Sequence, residues 1–218
     1  SGSMRELLVH QWRPLLLCFL VTMGGTVAFY TYSVNGPNIV KGAFAGDDVV
    51  TGTVINLIAL TILMLLQPLG GWISDIVGRK TLLVFFGIGG VLYTWFLLTF
   101  LPQQTSPVAA FAILVGGFVI LTGYTSINAV VKAELFPTHI RALGVGFGYA
   151  LANSMFGGTA PLLYTAANGA GQVPLFIGYV TVAIAASLVV YVLFLKNTGQ
   201  NWLDDEAGMR ERVGARKG

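Results

Sequence analysis

Long apolar runs alternate with short polar breaks along this chain, and the breaks fall at intervals that suit a bilayer. Residues 14–40, 49–74, 81–131 and 142–195 contain no Asp, Glu, Lys or Arg. A helix rising about 1.5 Å per residue needs roughly 20 apolar residues to cross a hydrocarbon core of about 30 Å. The first two runs each hold one such helix. The last two are long enough for two, and each carries an internal break, at 102–107 and at 168–174, built from Pro, Gly, Gln, Asn and Ser. The pattern therefore predicts six spans: A over 14–37, B over 49–73, C over 81–101, D over 108–131, E over 142–166 and F over 175–195. Asn35-Gly36-Pro37-Asn38 is a turn-former cluster that closes span A. Gly157-Gly158 followed by Pro161 predicts that span E bends or unwinds.

Composition agrees. Apolar and aromatic residues make up 55% of the chain and charged residues only 10%, against about 25% charged in a soluble domain. The fold class is all-α, a polytopic membrane protein. A lead-in occupies 1–13, with Ser1-Gly2-Ser3 reading as an expression scar, the membrane domain occupies 14–196, and a charged tail occupies 197–218. No cleavable signal peptide is evident, since no export-type site precedes a soluble domain. With the N-terminus inside, eleven of the twelve Lys and Arg residues fall on inside segments and only Lys41 falls outside. That bias places both termini in the cytoplasm. It also accounts for the net charge of +3, because the basic residues flank spans, and so nucleic acid is not an expected partner. Cys18, the single cysteine, reads as a small packing residue.

The polar residues inside the spans are unevenly shared. Spans A, B, D and E each contain an asparagine, Asn35, Asn56, Asn128 and Asn153, while C and F contain neither Asn nor Gln. Intramembrane amides are costly unless they face protein or water. The distribution predicts a three-plus-three repeat in which A, B, D and E line a cavity and C and F form lipid-facing scaffold. Helical spacing puts Thr22, Thr26, Tyr30 and Ser33 on one face of A, Asn56 and Gln67 on one face of B, Tyr124, Asn128 and Lys132 on one face of D, and Tyr149 and Asn153 on one face of E. Tyr30, Asn56, Gln67, Tyr124, Asn128, Tyr149 and Asn153 are the candidate substrate-pathway residues. Gly144 and Gly148 have the spacing that lets two membrane helices approach closely. Gly144-x-Gly146-x-Gly148 is no dinucleotide loop, since no strand precedes it.

No ionisable residue lies near a span midpoint. Lys132 is the nearest, and its long stem is expected to snorkel to the cytoplasmic surface, leaving no evident proton-coupling group. A membrane enzyme would need paired intramembrane acids, a Ser/His pair or metal ligands. The two histidines, His10 and His139, both fall at inside ends, so no enzyme, cofactor or metal site is expected.

The charged break between spans B and C reads Gly71-x-x-x-Asp75-x-x-Gly78-Arg79-Lys80. It resembles the cytoplasmic signature of the major facilitator superfamily, which lies between the second and third helices of each six-helix half. Glu134 and Arg141 form an E-x6-R pattern between spans D and E, which in that superfamily belongs to the C-terminal half. Phe29-Tyr30-Thr31-Tyr32, Tyr124 to Ile127, Lys132 to Pro137, Arg141 to Gly146 and Tyr149 to Gly158 are similar to the metabolite:proton symporter group, and within it to alpha-ketoglutarate permeases. Carriers of citrate, shikimate, proline or betaine share much of this pattern. The resemblance covers about 5–199, and 196–199 only weakly echoes the sugar-porter tail.

The resemblance implies one six-helix half of a twelve-helix carrier in a bacterial inner membrane. It implies secondary transport of a small organic solute, a dicarboxylate such as alpha-ketoglutarate, by alternating access. The lipid bilayer and a second six-helix half are the implied partners, the latter either a missing N-terminal half or another copy of this chain in a homodimer. Gly71, Asp75, Gly78, Arg79, Lys80, Glu134 and Arg141 become a cytoplasmic gate, with the four charged residues Asp75, Arg79, Glu134 and Arg141 as its latch. The alternative is a non-transporting half that serves assembly or regulation.

Overall fold

The structure, a computed structural model, describes residues 2–46 and 49–195. Asp47, Asp48 and the tail from 196 onward, with its basic residues Lys196, Arg210, Arg212, Arg216 and Lys217, lie outside the described residues. Among the described residues every regular element is helical.

A short helix α1 (Gly2–His10) precedes α2 (Trp12–Tyr30). The expected turn at 35–38 does not end the first span. The chain continues through a π-helical turn (Thr31–Asn35) into α3 (Gly36–Ala43). The reason lies in Pro37. A proline inside an α-helix clashes with the carbonyl four residues back, and a π turn inserts one extra residue that relieves this clash.

Helix α4 (Val49–Val77) contains Pro68 and runs four residues beyond the expected end of span B. Helix α5 (Arg79–Phe100) begins one residue later. The expected charged break between spans B and C is thus reduced to Gly78 alone. Its φ of 95° and ψ of 150° fall where only glycine is at ease, and its N–H donates to the Ser74 carbonyl at 2.9 Å.

A 3₁₀ turn (Leu101–Gln103) leads to α6 (Pro107–Thr125), whose N-cap Ser106 accepts from the Ala109 N–H. The expected span D is interrupted at 126–127, where the chain turns before α7 (Asn128–Glu134). A 3₁₀ turn (Thr138–Ile140) and α8 (Arg141–Ala152) follow. The predicted break in span E is present: a second π-helical turn (Asn153–Gly157) and a non-helical pair separate α8 from α9 (Ala160–Gly169). Gly171, with φ of 69°, then turns the chain into α10 (Val173–Phe194).

Five stretches are long and apolar enough to cross a membrane: Trp12–Ala43, Val49–Val77, Arg79–Gln103, Pro107–Glu134 and Val173–Phe194. The expected sixth span, E, falls on the interrupted α8–α9 stretch, which is not among them. Helix α2 is the most enclosed, packed on α10, α8 and α6, while α5 bridges α10 and α6. Helix α4 is the least enclosed and rests mainly on α6 and α3. Polar ties reinforce the α2–α10 crossing: the Ser187 hydroxyl donates to the Leu20 carbonyl at 2.5 Å and accepts from the Gly24 N–H at 2.8 Å, and Tyr191 donates to the Val21 carbonyl at 3.3 Å. The start of α5 meets the end of α10, where Lys80 donates to the Val192 carbonyl. His139 meets Glu6 of α1 at 2.7 Å. Both ends of the described chain therefore lie at the Gly78 end of the bundle. Leu7, Cys18, Phe136 and Ile140 form a small second core there, apart from the main one, and the Cys18 sulfur packs where a side chain on Gly148 would stand.

Candidate functional site

A pocket of about 230 Å³ with several polar side chains lies at the C-terminal end of α2, between it, the α6–α7 turn and α8. Helix α2 supplies Gly25, Thr26, Phe29 and Tyr30. The α6 end supplies Tyr124 and Thr125, α7 supplies Asn128, α8 supplies Tyr149 and the second π turn supplies Asn153. Tyr30 donates a long 3.5 Å hydrogen bond to Asn153 Oδ1, which joins the two π-helical regions across the pocket rim. Gly25 gives the floor its shape. A Cβ there would stand 2.1 Å from the Tyr124 ring, so only a residue with no side chain lets that ring lie flat against the α2 backbone.

Lys132 is where the expectation fails. It does not snorkel outward. It is 1% exposed and turns into the protein behind the pocket. Its ammonium donates to the Tyr124 hydroxyl at 2.7 Å and to Asn128 Oδ1 at 3.1 Å. It also sits 5.1 Å and 5.3 Å from the ring centres of Tyr124 and Tyr149. All four contacts are with neutral groups, and three of the wall residues are thereby fixed to one charge. The physical cause is local. Residues 124, 128 and 132 lie about one helical turn apart across the turn at 126–127, so the stem runs back along this face to the Tyr124 hydroxyl. Rings and hydrogen bonds offset part of the large desolvation penalty of a buried ammonium, with cation–π contacts contributing about 0.5–2 kcal/mol each. An ammonium has three donors, and the two hydrogen bonds use two of them.

Of the seven pathway residues expected from the sequence, the structure gathers five: Tyr30, Tyr124, Asn128, Tyr149 and Asn153. Asn56 and Gln67 are elsewhere. Buried Asn56 donates to the Pro37 carbonyl at 2.9 Å and ties α4 to α3, and Gln67 donates to the Leu63 carbonyl of its own helix. Span B thus gives this pocket nothing, because α4 packs on the far side of α6. Thr26 and Lys132 were both on the predicted faces. Gly25, Phe29 and Thr125 fall between those polar positions, and no periodic signal marks them.

The charged break is compact. Arg79 pairs with Asp75 at 2.9 Å and also donates to the Ser74 hydroxyl. Arg141 donates to the Phe136 carbonyl at 3.3 Å. Each of these arginine contacts lies within its own segment. Gly71 lies exposed enough that a Cβ would meet nothing. Among the described residues no group of His, Cys, Asp or Glu is placed to hold a metal ion.

A family model described as "Sugar (and other) transporter" matches residues 2–203. The chain is 36% identical over 201 residues to the alpha-ketoglutarate permease of Escherichia coli (strain K12), covering 91% of this chain and 46% of that protein. It is 31% identical over 157 residues to the ectoine/proline transporter ProP of Corynebacterium glutamicum, covering 71% and 30%. It is 27% identical over 162 residues to a citrate-proton symporter of Klebsiella pneumoniae, covering 73% and 36%. The chain spans less than half the length of these relatives. No solved structure matches it. A family match that runs through all five long apolar helices and the tyrosine-lined pocket decides the lineage: the chain belongs to the sugar (and other) transporter family of the major facilitator superfamily, and it is an integral, multi-pass membrane protein rather than an enzyme.

Proposed function

We propose that this chain forms one six-helix half of a secondary carrier for a small organic anion, a dicarboxylate such as alpha-ketoglutarate, moved by alternating access. One observation carries the reading. Among the described residues the buried Lys132 ammonium meets only neutral groups, Tyr124, Asn128 and Tyr149, all of which line the pocket, and its two hydrogen bonds leave one of its three donors. Burying a lone charge in a membrane is expensive and marks a functional group by default, and a carboxylate in the pocket supplies the missing counter-charge. Asn128, Tyr149 and Asn153 add amide and hydroxyl groups for the rest of a polar solute. The permease named for alpha-ketoglutarate among the relatives supports the same class of cargo.

In this reading the α2, α6–α7 and α8 faces are one wall of the site. The other wall comes from a second six-helix unit, in keeping with the length of the relatives. Gly78 is the joint of the cytoplasmic face, and Asp75, Arg79, Lys80, Glu134 and Arg141 hold the segments beside it. Both termini of the half are cytoplasmic, as the basic residues favour.

Two measurements test the proposal. Radiolabelled alpha-ketoglutarate binding to the purified chain in lipid nanodiscs is expected to be saturable and markedly weakened in Lys132→Met. Uptake into liposomes is compared for the chain alone and for the chain paired with an N-terminal six-helix unit. Uptake only with the partner identifies a fragment, and uptake by the chain alone identifies a self-paired carrier. Absence of both binding and uptake sinks the proposal and leaves the non-transporting half as the better reading.

A further inference from the structure

A second pocket, of about 320 Å³, lies at the opposite end of the bundle from Gly78, between α3, the 3₁₀ turn after α5, and α9. Its wall is rich in amides and hydroxyls: Asn35 and Asn38 from the first helical stretch, and Tyr164, Thr165 and Asn168 from α9. Among the described residues its lining carries no charged side chain. This differs from the first pocket, where a lysine backs the wall.

Asn35 distinguishes the pocket from an ordinary surface dent. The residue is 2% exposed, lines the pocket, and its Nδ2 has no hydrogen-bond partner. Buried amide donors are normally satisfied, and an exception needs a cause. The cause here is backbone geometry. Asn35 is the last residue of the π turn that accommodates Pro37, so its position is set by the proline and not by a partner for its amide. An amide NH₂ seeks an acceptor oxygen, and Asn38 and Asn168 present the same chemistry from exposed positions on the rim.

Each pocket takes one wall from the first helical stretch, 12–43, and another from the α8–α9 stretch. Tyr30 and Asn35 lie at either end of the first π turn, while Asn153 begins the second π turn, beyond which lies Pro161 on the second pocket. The Tyr30–Asn153 hydrogen bond and Gly157, whose hydrogen-bearing face abuts both residues, stand between them.

From this arrangement we infer a second, charge-free binding site at this end, one that takes a small carboxylate-bearing solute through amide donors led by Asn35. It holds the solute weakly before or after the Lys132 pocket, with the Tyr30–Asn153 contact as the partition. The inference rests on the organic-anion reading of the Lys132 pocket for its choice of solute.

The test uses the full chain in nanodiscs, with Thr165→Cys introduced on a Cys18→Ser background and alkylated by a water-soluble maleimide, and alpha-ketoglutarate as the probe. The solute is expected to slow alkylation severalfold, and to do so equally when Lys132→Met has weakened binding at the first pocket. Asn35→Ala is expected to abolish the protection with little change in the thermal unfolding temperature, because the Nδ2 donor it removes has no hydrogen-bond partner. Protection that disappears with Lys132→Met, or that survives Asn35→Ala, overturns the second site. Absence of protection while Lys132-dependent binding persists overturns it too and leaves the cargo assignment standing. Absence of both Lys132-dependent binding and protection overturns the two together.

Discussion

The Lys132 ammonium stands 2.7 Å from the Tyr124 hydroxyl, and a Cβ on Gly25 would overlap the ring that carries that hydroxyl. A charge on α7 is therefore positioned through a ring on α6 by the bareness of one residue on α2.

Replacing the charge removes the counter-ion and leaves the shell. Lys132→Met is expected to weaken alpha-ketoglutarate binding by roughly tenfold or more, since a hydrogen bond to a charged group contributes about 1.5–3 kcal/mol and 1.4 kcal/mol is tenfold. Its thermal unfolding temperature should not fall, because an apolar chain of similar volume replaces a desolvated ammonium. Binding by radioligand and unfolding by tryptophan fluorescence check the two halves. Undiminished affinity in Lys132→Met removes the lysine from the site.

Gly25→Ala should act on the same charge from a distance. The added methyl must displace the Tyr124 ring, and overpacking of this kind typically costs about 1–3 kcal/mol. The expected result is a lower unfolding temperature together with weaker binding, whereas Ala at the open position Gly146, where a Cβ meets nothing, changes neither. Equal behaviour of the two variants contradicts the packing account.

Gly78 is tested by Gly78→Ala. With φ at 95° and ψ at 150°, any other residue is strained by about 1–3 kcal/mol. The expected outcome is destabilisation on that scale with ligand affinity at the pocket retained. Asp75→Asn is milder. The Arg79–Asp75 pair is partly exposed on the acid side, where an ion pair contributes about 0–1 kcal/mol. Its effect should appear in uptake by the assembled carrier and in cysteine accessibility from the cytoplasmic side. No change in either argues against a gating role.

Two asparagines separate scaffold from site. Asn56→Ala breaks the tie between α4 and the Pro37 carbonyl and is expected to lower stability by about 1 kcal/mol with binding intact. Asn153→Ala, on the pocket rim, is expected to reduce binding with a smaller effect on stability. Reversal of that order would move the site to the α3–α4 junction.

Much of the fold could be read from the charge-free runs, because bilayer thickness constrains helix length so tightly. The breaks at 102–107 and 168–174, and the unwound turn after Gly157, were marked by residues whose backbone chemistry is local. Pro37 misled for a related reason: a proline signals the end of an α-helix, but it says nothing about a π turn that absorbs it. The pocket was half legible. Tyr124, Asn128 and Lys132 shared a face on paper, yet which way Lys132 leaned depends on the turn at 126–127, and a charge-free run with neither Gly nor Pro at those positions does not mark that turn. Asn56 and Gln67 have the same composition signal as Asn153. Only the placement of α4 beyond α6 tells structural amides from wall amides.

The two π turns flank the Tyr30–Asn153 contact, and each stores one residue more than an α turn of the same length. A helix advances about 100° per residue. Expelling that stored residue would swing every side chain beyond it by about that angle without breaking the helix. At Tyr30 and Asn153 the protein has, in effect, two ratchet teeth facing one another, each able to re-aim a wall of the pocket by a single residue of register.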